Sequence, residues 1–231
     1  MAISPIQDLE LEDIIREIRA ALIINISKIK LTSEIKEFIT ALAFQCYTNE
    51  YIYEVTTKEI SKFKTLNKKV EKDLINGFEP KFLELAILSS YKPLFEFDWQ
   101  NLISVNADNE TLLNRLLLGP KKETKLASKI NSLRNISDKT SLKVKKQYEE
   151  NPYPRWIYTG LHFTPFSVPE FIEKVNLKVD NIFESEIKKP RILVAGCGTG
   201  QHSIMSSTRF KNSSVLAIDL SLKSLGYAKM K

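Results

Sequence analysis

The sequence predicts an α plus α/β architecture: a helical domain over residues 1–140, a rigid connector over 141–189, and the start of a parallel α/β sheet over 190–231. Three observations carry it. Apolar residues recur at helical spacing through the first part, where glycine and proline are rare. Five of the nine prolines then fall between residues 151 and 190. Finally, three of the seven glycines crowd into the five residues that follow the apolar run Ile192 to Ala195.

In the first part Ile14, Ile15, Ile18, Ala21 and Leu22 form one amphipathic stripe, and Ile35, Phe38, Ile39, Leu42 and Cys46 another. Thr56 followed by Glu59 fits a capping box, in which hydroxyl and carboxylate satisfy the unpaired amides of a helix N-terminus. Pro80 suits the first turn of a helix through FLELAILSSY, which Pro93 ends. No repeat at solenoid periods is detectable, so the expectation is five to seven packed helices.

Pro152, Pro154, Pro165, Pro169 and Pro190 fix the backbone of the connector, and NPYPRW must be extended or turned because proline disfavours helix for the residue before it. A short helix is expected from Pro169 to Val175. Pro190 then delivers the chain into a branched, apolar run too short for a helix, which reads as a buried strand. A glycine turn, a helix, a second strand over Val215 to Ile218 and a helix from Ser221 complete a parallel βαβα order.

Composition narrows the function classes. The chain has 231 residues, 43% of them hydrophobic, with no charged leader before an apolar run and no stretch approaching a membrane span. Cys46 and Cys197 form no paired motif, so neither a disulfide framework nor a metal site is indicated, and a cytoplasmic protein without a membrane partner is expected. The net charge of +6 comes mainly from lysines interleaved with acids, which is how solvated helix faces look. Arginine, which suits bidentate phosphate and guanine contacts, is scarce, so a nucleic-acid partner is disfavoured.

The glycine turn carries the chemistry. Gly196, Cys197, Gly198, Thr199 and Gly200 lead into a helix beginning near Gln201, with little side chain to shield the backbone. Unpaired amides at such a helix start attract a carboxylate or phosphate. Asp219, followed by Leu220, stands after the second strand, where an acid about 20 residues on commonly accepts both ribose hydroxyls of an adenosine cofactor. The spacing G-x-G-x-G differs from the dinucleotide fingerprint, since Gln201 stands where its third glycine would be, and no Walker lysine follows.

VAGCGTGQHS, VLAIDLS and LKSLGYAKMK together resemble motifs I and II of class I S-adenosylmethionine-dependent methyltransferases. Upstream, ALAFQCYTNEYIYE (41–54), LAILSSYKPLFEFDW (85–99) and QYEENPYPRW (147–156) are similar to a bacterial subgroup in which a helical region precedes the methyltransferase domain, some members carrying tetratricopeptide repeats further upstream. The resemblance implies a Rossmann-like sheet and S-adenosylmethionine as cofactor. Gly196, Gly198 and Gly200 would line its methionine and adenosine side, with Cys197, Thr199, Gln201 and Leu220 beside them, and Asp219 would hold the ribose. Many relatives have an acid two residues before the first glycine; here that place is Val194, so the cofactor's ammonium needs another partner. Such a sheet has more strands than the two present, which implies the N-terminal part of a longer protein.

Cys197 reads as a small filler rather than a nucleophile, since no base is paired with it; His202, on the first helical turn, could reach the cofactor or the substrate but reads rather as solvent-facing. Tyr148, Asn151, Tyr153, Arg155 and Trp156 form an aromatic and guanidinium cluster. It could close as a lid over a planar ligand, or clamp the helices onto the sheet. The methyl acceptor, the catalytic base and the oligomeric state are not legible. Two other classes stay open: a helical interaction module with a vestigial sheet start, and a nucleic-acid methyltransferase or binder.

Overall fold

In the computed structural model, which describes residues 6, 8–133, 135–161, 164–179 and 187–231, the chain divides into two compact units, Met1–Lys122 and Glu123–Lys231. The architecture is mixed, mostly helical with one small parallel sheet. Of the connector, residues 162, 163 and 180–186 lie outside the described residues.

The first unit holds α1 (Leu9–Ile24), α2 (Ser33–Thr48), α3 (Thr57–Ile75), α4 (Phe82–Leu88) and α5 (Glu110–Leu113), which passes through a π turn into α6 (Gly119–Ala127), whose residues from Glu123 onward belong to the second unit. Side-chain caps start the first three: Asp8 accepts from Leu11, Thr32 from Ile35, and Thr56 with Glu59 forms the capping box expected. Ile23, Ile39, Leu85, Leu88, Leu94, Trp99, Leu112 and Leu116 make the centre of one continuous core.

Two local expectations need correction. Pro80 precedes the N-cap Lys81 instead of entering α4, and α4 stops at Leu88, well before Pro93. The hydroxyls of Ser89 and Ser90 both bond back to the carbonyl of Ala86, a local alternative to further helix. On α1 the buried stripe runs through Ile15, Arg19 and Ile23, and Ile14 is half exposed.

Arg19 is fully enclosed. Its guanidinium donates to Glu59 at 3.2 Å and to the Glu54 carbonyl at 2.7 Å, and lies 4.4 Å from the centre of the Tyr91 ring. Glu59 in turn accepts the Tyr91 hydroxyl at 2.8 Å. Both charges being 1% exposed, each depends on the other for its solvation.

The second unit contains α7 (Lys139–Glu150), α8 (Val168–Lys174), β1 (Arg191–Ala195), α9 (Gln201–Arg209), β2 (Ser214–Ile218) and α10 (Leu222–Met230). The strands pair in parallel, from Arg191 opposite Ser214 to Ala195 opposite Ile218. Their order agrees with the sequence reading and each begins one residue earlier than expected, but the strands are buried on one face only. Leu193 and Leu216, partners in register, are 61% and 63% exposed, because α9 covers one face and no described element covers the other. Beside the strands, Phe166 bridges Phe210 and packs with Phe171.

Candidate functional site

β1 ends at Ala195, and the next five residues turn the chain into α9. Gly196, Gly198 and Gly200 all have positive φ, at 69°, 53° and 87°, but only Gly200 is hemmed in by the fold. A Cβ on Gly200 would stand 2.5 Å from that of Ala228, so this glycine lets α10 approach the turn. One on Gly198 would lie 3.7 Å from the Tyr153 carbonyl oxygen. At Gly196 the same atom would meet nothing within 4 Å, so open space lies directly above the backbone at the carboxyl end of the strand.

The turn is tied to the end of β2. The amides of Gly196 and Cys197 both donate to the Ile218 carbonyl, at 2.9 and 3.1 Å. Gly198 donates to Asp219 Oδ2 at 2.8 Å, and Ser221, the N-cap of α10, donates to Asp219 Oδ1 at 2.9 Å. Asp219 is half-buried, with one amide on each oxygen; since each carboxylate oxygen has two lone pairs, capacity remains for a further donor. Leu220 beside it is exposed, Gln201 half-exposed and His202 exposed on the first turn of α9. At that turn the leading amides have no carbonyl of their own helix to bond.

Cys197 is 7% exposed, and burial together with the nearby Asp219 charge raises its thiol above the usual range. A raised thiol is a poorer nucleophile at neutral pH, consistent with a filler. Val194, where an acid would stand to meet an ammonium, is 6% exposed and part of the core.

The structure separates the members of the NPYPRW cluster. Trp156 donates its indole N–H to the Thr199 carbonyl at 3.0 Å, while the Thr199 hydroxyl donates to the Pro154 carbonyl at 2.7 Å. Tyr227 of α10 donates its hydroxyl to the Trp156 carbonyl, and the two rings meet edge to face at 6.0 Å. Arg155 pairs with Glu123 at 3.2 Å, the side chains being 13% and 11% exposed. These contacts are those of a clamp within the second unit. Tyr153, 70% exposed, and Tyr148, 38% exposed, keep faces available to a ligand. Asn151 caps α7 through its own amide.

The N-terminus of α10 is held from α7 as well, since Ser221 Oγ donates to the Tyr148 carbonyl at 3.1 Å and the Leu222 amide donates to Glu149. Sequence reasoning missed Glu123, Glu149 and Tyr227, because their roles come from α6, α7 and α10 meeting at one turn. Only Ser221, a serine just before a helical run, carried a readable cap signal.

Within the first unit, a separate cavity of about 420 Å³ is lined by residues that include Thr32, Lys36, Lys81, Phe82 and Asp108, where Lys36 is neutralised by Asp108 at 2.9 Å. Among the described residues no cluster of acidic, histidine or cysteine side chains could hold a metal ion, and no helix is long and apolar enough to cross a membrane. Comparisons of the chain with protein-family models, curated proteins and solved structures return no match.

Proposed function

We propose that the turn from Gly196 to Gly200 and Asp219 form the cofactor site of a class I S-adenosylmethionine-dependent methyltransferase with a Rossmann-like sheet, acting on an unidentified methyl acceptor. The observation that carries this reading is the open space over Gly196, at the carboxyl ends of two parallel strands and next to Asp219. Ligands of open parallel sheets bind in that position.

The residues present fit such a group. Asp219 would accept hydroxyl donors through its remaining lone pairs, Gly196 would allow close approach to the backbone, and the leading amides of α9 would attract a carboxylate. Tyr153 and Tyr148 offer aromatic faces beside the turn. S-adenosylmethionine itself supplies a methyl group on a good leaving group. What this chain contributes is therefore orientation and exclusion of water, and no residue is assigned as a base.

Two observations favour the second reading, a helical interaction module whose turn binds nothing. Asp219 is already bonded by two amides, and Gly200 is explained by packing alone. Calorimetric titration of the 231-residue chain with S-adenosylmethionine and with NAD decides between them. Binding of the first alone supports the methyltransferase reading. Binding of neither favours the module, and binding of NAD alone overturns the assignment of the cofactor.

A further inference from the structure

The lysines of α3 are interleaved with acids in the sequence, but they are more exposed than those acids. Lys58, Lys62, Lys64, Lys68 and Lys72 are all exposed, whereas Glu59 is buried and Glu71 and Asp73 are half-buried. Lys69 is neutralised by Asp73 and Glu84, each at 2.7 Å. None of the other five has an ion-pair partner among the described residues. The buried residues Glu59, Leu66, Val70 and Leu74 define the inner face; on a helical projection Lys64, Lys68 and Lys72 lie opposite it, and Lys58 and Lys62 flank it on one side.

Such an arc costs the isolated unit stability. Lys58 and Lys62, Lys64 and Lys68, and Lys68 and Lys72 stand one turn apart, and like charges at that spacing repel. A face serving solubility alone is as well served by mixed signs, which attract. The same arc ends in apolar groups: Ile75, one turn after Lys72, is 70% exposed, and Phe78 just beyond the helix is 66% exposed.

We infer that the outer face of α3 docks on an anionic lipid surface. The lysines are the complement of acidic headgroups, and Ile75 and Phe78 are placed to enter the boundary of the acyl chains. A nucleic-acid backbone would also attract the lysines, but it offers nothing to two large exposed apolar side chains. Arginine, the better residue for phosphate forks, is absent from α3. Docking of this kind needs no spanning helix and is independent of the cofactor reading.

The test is co-sedimentation of the 231-residue chain with phosphatidylcholine vesicles and with vesicles containing about 30 mol% phosphatidylserine, at low and at high salt. The chain is expected to pellet with the anionic vesicles only, and to be released by salt. Replacing Lys64, Lys68 and Lys72 together by glutamine should weaken partitioning roughly 100-fold, with helical circular dichroism and melting preserved because all three are exposed. Ile75→Ser with Phe78→Ser should weaken it further, in a way that salt does not mimic. Equal recovery with both vesicle types, or unchanged binding by the folded lysine variant, overturns the proposal. Displacement from the vesicles by nucleic acid bound more tightly, or indifference to the Ile75 and Phe78 changes, overturns the assignment to lipid.

Discussion

The carboxylate of Asp219 accepts the backbone N–H of Gly198 at 2.8 Å, so the residue after the second strand fixes the turn after the first. Its other oxygen takes the amide of Ser221. Asp219 therefore has a structural task whether or not a cofactor binds. Asp219→Ala leaves both amides without their charged acceptor and should lower stability by about 2 kcal/mol, read by urea unfolding. Asp219→Asn keeps one carbonyl acceptor and should lose less stability, but also lose affinity for an adenosine ligand in calorimetry.

The glycines of the turn make opposite predictions. Gly200→Ala places a Cβ 2.5 Å from that of Ala228 at a φ of 87°, and should cost about 2 to 4 kcal/mol from strain and overpacking. Gly196→Ala meets no atom and should cost only about 1 kcal/mol for its positive φ, while filling the space where a ligand would approach. Thermal melting and cofactor titration of the two variants should rank them in opposite orders.

Arg155→Ala tests clamp against lid. It would strand the Glu123 carboxylate in a site that is 11% exposed, so a loss of about 3 kcal/mol is expected. Trp156→Phe removes one hydrogen bond to Thr199 and should cost about 1 kcal/mol. Tyr153→Ala, at an exposed position, should leave melting unchanged. A full loss of ligand affinity in the Arg155 variant without any change in melting would restore the lid.

The helical unit should lose stability in acid through Glu59. Burial pushes its carboxyl up, but the Thr56 amide, the Tyr91 and Thr56 hydroxyls and Arg19 outweigh burial and hold it below its ordinary value. A lowered folded pKa stabilises above the unfolded value, near about 4.3, and that contribution is lost as pH falls through the folded one. Urea unfolding between neutral and acid pH, followed by Trp99 fluorescence in a Trp156→Phe background, should show this decline. In Glu59→Gln the slope should flatten and the neutral-pH stability drop by about 3 kcal/mol, since Arg19 is then left in the core without its counter-charge.

Much of the local structure was legible because its causes are local. The Thr56 and Glu59 box, the helix start at Ser221, the two short strands and the turn between them depend on residues within a few positions of one another. The buried charge at Arg19 was not legible, because an arginine on an apolar stripe reads as a break in the pattern until Glu59, forty positions away, is brought against it. The exposure of Leu193 and Leu216 was hidden for a related reason: a branched run predicts a strand, but not what packs on each of its faces.

The sequence by itself determined that a glycine turn follows a parallel strand, and that an acid follows the next one, since backbone freedom, strand propensity and capping are properties of short segments. Only the tertiary structure decided that Gly200 serves packing while Gly196 stands open, that Trp156 and Arg155 hold the turn through Thr199 and Glu123, and that α3 exposes its lysines while its acids are wholly or partly buried. Those outcomes depend on which surfaces distant helices bring together, and helical periodicity carries the spacing of side chains without naming their partners.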